Sequence, residues 1–215
     1  MLNKFTYPVT CVLLGLCLSA PVSAGMIDQS FTSASPQGAQ VGITYDGLAQ
    51  TFTVGVDGIF ESAELILGHG NATPLADLTV SLWNTALGIP NAVLASVNLA
   101  PGDVTNTGLA AVLIDFSSAM LAVTIGDVLA IGISSADQYG WGAGVDAFAT
   151  YGGGQRFSDF SGDVGVNWSS LPSWDMSFRT FVDTGATTVP EPATLSLLGL
   201  GLVGMSLRRR QKANA

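Results

Sequence analysis

The chain has 215 residues and a formal net charge of −9, with 48% hydrophobic and only 11% charged residues. Five of its seven basic residues, Lys4, Arg208, Arg209, Arg210 and Lys212, are terminal, so the stretch from Gly25 to Val189 sets Arg156 and Arg179 against fifteen carboxylates, a net −13. Such a domain has no basic patch with which to grip a polyanion, which excludes nucleic acid and disfavours acidic polysaccharide, while neutral glycans and divalent cations stay open.

At the N-terminus, Lys4 precedes the ten-residue apolar run Val9 to Leu18, and Val22-Ser23-Ala24 places small residues before Gly25. This is the three-part pattern of a secretory signal peptide over residues 1–24, cut between Ala24 and Gly25. It predicts export through the Sec translocon and cleavage by signal peptidase. The run is too short to span a membrane, and Leu16 stands where a lipid-attachment site at Cys17 would need a small residue. Both cysteines, Cys11 and Cys17, fall in the removed segment, so the exported protein depends on a packed core and not on disulfides.

Residues 25–183 read as a single β-rich domain. Phe52, Val54 and Val56 alternate with Thr51, Thr53 and Gly55, and Asp57-Gly58 marks a turn. Further strand runs follow at Ala63 to Leu67, Leu78 to Trp83, Val93 to Leu99, Ala111 to Phe116, Val128 to Ile133 and Trp174 to Val182. Asn71, Gly88-Ile89-Pro90-Asn91, Pro101-Gly102-Asp103 and Gly126-Asp127 supply turn signals between them. The spacing predicts an all-β, antiparallel β-sandwich with helix limited to short pieces.

Catalytic machinery is sparse. His69 is the only histidine, in Gly68-His69-Gly70-Asn71, and reads as an exposed loop residue without a role. No Gly-x-Ser-x-Gly elbow offers a nucleophile, and one histidine without mature cysteines does not make a zinc site. Asp146, Asp159, Asp163 and Asp175 are the carboxylates from which a glycosidase pair would come, although aspartates in glycine-rich turns more commonly bond their own backbone. Asp159 and Asp163, with loop carbonyls, are weak Ca2+ candidates, but no Asp-x-Asp-x-Asp-Gly pattern is present. No other cofactor is expected.

Between Tyr139 and Trp174 lie three of the four tryptophans, interleaved with glycines and aspartates. Aromatic faces stack on the C–H faces of a sugar while Asp and Gln bond its hydroxyls, so Trp141, Asp146, Tyr151, Gln155 and Trp168 form the candidate ligand-binding set. The competing reading makes these aromatics a plug at one end of the sandwich, with Trp174 and Phe178 alternating inward on a terminal strand.

A linker, 184–189, leads to the tail at 190–212. Pro190-Glu191-Pro192 blocks helix and sheet pairing and leaves an extended, accessible backbone. Residues 193–207 then offer 15 uncharged residues, about 22 Å of helix against a hydrocarbon core of roughly 30 Å. This short transmembrane helix ends at a basic tail, 208–212, whose Arg208, Arg209 and Arg210 favour the cytoplasmic side. A plain tail anchor behind a proline linker is the alternative.

Pro190-Glu191-Pro192, the Gly/Leu-rich segment and the arginine cluster together resemble the PEP-CTERM sorting signal of Gram-negative bacteria. The resemblance implies an exosortase that cuts near Pro-Glu-Pro, a transient inner-membrane intermediate, and delivery to the cell surface or an extracellular matrix. Gln50 to Val182 is in turn similar to jelly-roll or lectin-like choice-of-anchor domains, through segments such as Leu78-Thr79-Val80-Ser81-Leu82-Trp83 and Trp174-Asp175-Met176-Ser177-Phe178. Taken together, the expectation is a non-enzymatic surface protein contacting exopolysaccharide or another neutral glycan in a biofilm matrix. A secreted glycan-cleaving enzyme and a purely structural coat protein are the alternatives.

Overall fold

The computed structural model describes residues 25–185, apart from 34–36, 43, 71–72, 105–107, 145–149, 163 and 172–173, with Gln37 described by its backbone alone. The expected signal peptide, Ala24, Asp146, Asp163, Pro190 to Pro192, the apolar segment and Arg208 to Arg210 lie outside the described residues. The compact unit containing the described residues is Ser23–Ala186.

In chain order the strands are β1 Met26–Phe31, β2 Gln37–Val41, β3 Gly47–Thr53, β4 Gly58–Gly68, β5 Leu78–Ala86, β6 Ile89–Leu99 and β7 Ala110–Asp115. They continue with β8 Ala122–Val123, β9 Val128–Ser134, β10 Tyr139–Ala143, β11 Arg156–Asp159, β12 Ser169–Leu171 and β13 Phe178–Asp183. Helix among the described residues is confined to two 3-10 turns, Pro101–Asp103 and Ser117–Ala119. One sheet runs β1-β13-β4-β10-β2, with β7 and β8 also paired to β4; the other runs β12-β11-β3-β9-β5-β6. Every pairing between these strands is antiparallel.

The two sheets pack face to face because each presents an apolar face to the other. From β3 and its neighbours come Leu48, Phe52, Val80, Leu82, Ile131 and Ile133; from the opposite sheet come Phe60, Leu65, Trp141, Phe178 and Val182, all in one buried cluster. Phe52 bridges the layers, with its ring centroid 6.1 Å from Phe60 and 5.9 Å from Phe178. A fully buried side chain of this size contributes roughly 1.5–3 kcal/mol. On β13 the alternation is regular: Phe178, Thr180 and Val182 are buried, while Arg179 turns outward to Glu64, its register partner on β4, at 3.0 Å. That half-exposed ion pair fixes register more than it adds stability.

Three sequence expectations need correction. Gly88-Ile89-Pro90-Asn91 is not the turn. The reversal is the two-residue loop Leu87-Gly88, with φ of 54° and 77°, and Ala86 pairs with Ile89 across it. Two successive left-handed residues match the strand twist of a tight hairpin, and Pro90 is accommodated because β6 is an edge strand. The run from Trp174 likewise does not begin a strand; Met176 makes an isolated bridge to Ala143, and β13 starts at Phe178. His69 follows β4 but is 8% exposed, which makes it a buried histidine.

Candidate functional site

The described residues of the predicted ligand-binding set, Trp141, Tyr151, Gln155 and Trp168, do not converge on one surface. Trp141, on β10, is wholly buried, and its indole N–H donates to the Ser177 carbonyl at 2.8 Å. Tyr151 is partly buried: its ring meets Phe178 edge-on at 5.1 Å, and its hydroxyl donates to Gln29 Oε1 at 2.7 Å. Gln155 ties its backbone to β3, with its carbonyl accepting the Thr51 N–H at 2.9 Å. Trp168 packs edge-on against Trp83 at 5.7 Å, over the bare Cα of Gly47. Trp174, expected to point inward, is 46% exposed.

The two described carboxylates singled out for chemistry are occupied by the fold. Asp159, at the end of β11, is fully buried, and its oxygens accept the Ser161 hydroxyl at 2.7 Å and the backbone N–H groups of Ser161, Gly165, Val166 and Asn167 at 2.8–3.4 Å. Burial alone would push this carboxyl up, but the bonds from Ser161, Gly165 and Asn167 outweigh it and hold it below the usual carboxylate range. It therefore organises its own loop. Among the described residues no group of three or more His, Cys, Asp or Glu side chains gathers as metal ligands.

Asp175 lies 4% exposed between the sheets. Its Oδ1 accepts from Gln50 Nε2 at 3.0 Å and its Oδ2 from the Tyr151 N–H at 2.7 Å. Burial raises its carboxyl above the ordinary range; the bonds from Tyr151 and Gln50 and the charge of Arg156 only partly offset this. Arg156 is 1% exposed, with its guanidinium 5.4 Å from the Tyr45 ring centroid and 5.9 Å from that of Trp174. Its Nε and Nη2 have no hydrogen-bond partner among the described residues.

A cleft that the sequence did not point to lies on the sheet containing β2, β4 and β10. It encloses about 170 Å³ and is walled by Gln40, Gln138, His69 and Leu109 above the bare backbone of Gly38 and Gly140. His69 is held from two sides. Its Nδ1 lies 3.0 Å from the Gly70 carbonyl, and its ring meets Tyr139 edge-on at 6.1 Å. A carbonyl only accepts, so Nδ1 carries the proton. The signal available in the sequence was the recurrence of glycine at Gly38, Gly68 and Gly140 inside or at the end of strands, where glycine is otherwise disfavoured.

Comparison with known proteins finds a match towards the C-terminal end of the chain. Residues 188–210 match the family model of the PEP-CTERM protein-sorting motif. The described domain is thus an all-β, two-sheet unit carried by a chain that bears a PEP-CTERM tail. The protein is an exported substrate of an exosortase, with a C-terminal membrane anchor before processing. A search of curated proteins gives no match to the chain.

Proposed function

We propose that this exosortase substrate is a non-catalytic component of the cell surface or extracellular matrix, whose β-sandwich makes adhesive contact with a neutral glycan such as a matrix exopolysaccharide. The observation that carries the reading is the sorting motif at residues 188–210, which commits the domain to a life outside the cytoplasm. Its charge supports the choice of partner: a stretch at −13 repels polyanions but not an uncharged polysaccharide. The fate of its polar side chains supports a role without turnover. Asp159 and Asp175 are spent on backbone and amide donors, and His69 is bonded to a carbonyl in place of the carboxylate that would orient a general base.

The test is retention on the host's own purified exopolysaccharide, measured by affinity electrophoresis, with reducing ends assayed in parallel. Retarded migration without release of reducing ends is the expected result. Release of reducing ends would replace the adhesive reading with a hydrolytic one, and unretarded migration would remove glycan contact.

A further inference from the structure

We propose that the cleft between β2, β4 and β10 is a binding site for one neutral, hydroxyl-bearing sugar unit, held by Gln40, Gln138 and His69 against the exposed backbone of Gly38 and Gly140. This deepens the glycan-contact reading above and rests on it.

The glycines argue first. Neither Gly38 nor Gly140 adopts a left-handed φ, and a Cβ added to them would meet nothing nearer than 3.9 Å and 3.6 Å respectively. Alanine would fit at both, and glycine within a strand is destabilising relative to alanine. Two such concessions on adjacent strands keep the cleft floor free of side chains, which is what close approach of a guest requires. Gly68 is different in kind, because a Cβ there would collide with the Gly108 carbonyl.

His69 argues independently. It is more than nine-tenths buried at the cleft wall, and with Nδ1 committed to the Gly70 carbonyl, Nε2 has no partner among the described residues. In the neutral ring Nε2 is an acceptor, which leaves it able to take a hydrogen bond from a guest hydroxyl.

The wall chemistry then selects the guest. Two carboxamides donate and accept at once, which suits hydroxyls that do the same, and Leu109 offers an apolar strip for ring C–H groups. Among the described residues no charged side chain lines the cleft, so neither an anion nor a cation finds a counter-charge there. At about 170 Å³ the space is below the roughly 300 Å³ at which pockets for drug-sized ligands begin, and it suits one sugar unit of a chain that continues into solvent.

The experiment is saturation-transfer NMR on the exported protein with methyl α-glucoside, methyl α-mannoside and methyl β-galactoside, repeated with methyl glucuronide. Gly140→Ala and Gly38→Ala serve as cleft-filling variants, because both have room for the added methyl. At least one neutral glycoside should give signal that falls tenfold or more in both variants, with thermal melts unchanged or raised. Equal signal in wild type and both variants overturns the site, as does signal from the glucuronide alone. The host polysaccharide separates the two levels of the account. If Gly140→Ala and wild type are retarded equally, glycan contact stands and this cleft is not its site; if neither is retarded, the parent reading falls with it.

Discussion

Gln50 and Asp175, 125 residues apart, form a buried side-chain pair: Gln50 Nε2 donates to Asp175 Oδ1 at 3.0 Å while Gln50 Oε1 accepts the Met176 N–H at 2.8 Å. One amide on β3 thereby fixes the segment that enters β13 on the opposite sheet. Gln50→Leu strands the Met176 N–H and one Asp175 oxygen, and should cost about 2–4 kcal/mol in urea unfolding. A cost below about 0.5 kcal/mol would mean that the pair does not join the sheets.

Asp175 itself gives an unusual pH dependence. Burial raises its carboxyl in the folded domain, so the fold holds this proton more tightly than the unfolded chain does. Its contribution favours the fold in acid and is lost as the pH rises through the raised folded value. Asp175→Asn removes that titration. Melting temperatures across the acid range should show wild type losing stability relative to Asp175→Asn as the pH climbs above the ordinary carboxylate range.

Asp159 behaves in the opposite sense. Its folded value lies below the ordinary one, so its stabilisation is present above the unfolded value and disappears as the pH falls through the folded value. Asp159→Asn loses acceptor capacity for the loop N–H groups and should destabilise by about 2–3 kcal/mol at neutral pH, with the gap to wild type closing in acid. Circular dichroism melts at several pH values read this directly.

Trp141 is a core residue, and Trp141→Phe removes the bond to the Ser177 carbonyl and leaves space where the indole lay. The expected loss is about 2–4 kcal/mol with glycan retention intact. Lost retention in a protein that still melts cooperatively would return Trp141 to the binding set.

Glycines sort by what surrounds them. Gly154→Ala would drive its Cβ into the Thr51 carbonyl on β3, and should lower the melting temperature sharply, whereas Gly140→Ala should not. Differential scanning fluorimetry of the two variants side by side separates a packing glycine from a cleft glycine.

Legibility in the sequence followed periodicity. Leu78 to Trp83, Val93 to Leu99 and Val128 to Ile133 fall in β5, β6 and β9, and Ala111 to Phe116 overlaps β7 but runs one residue past its end at Asp115, because each alternates or runs apolar between turn signals. Strands β2 and β10 carry no such signal: Gln37 to Val41 and Tyr139 to Ala143 are broken by Gly38, Gly140 and Gly142, and glycine has no hydropathy signature. The same gaps hid the cleft, which exists only when β2, β10 and the end of β4 lie side by side. Aromatic enrichment between Tyr139 and Trp174 was visible but ambiguous, since a tryptophan looks alike in sequence whether it faces a sugar or the core. Trp141 went to the core, and Trp174 to the surface. The sorting motif needed no tertiary context, because an enzyme that reads an extended peptide reads local sequence.

The most direct measurement is the intact mass of the protein recovered from its host, in surface and medium fractions, for wild type and for a variant with Pro190, Glu191 and Pro192 replaced by alanine. Exosortase sorting predicts a wild type that has lost the segment through Arg208 to Arg210, and a variant that keeps it in the membrane fraction. A wild type that retains those arginines, wherever it is found, would contradict the account.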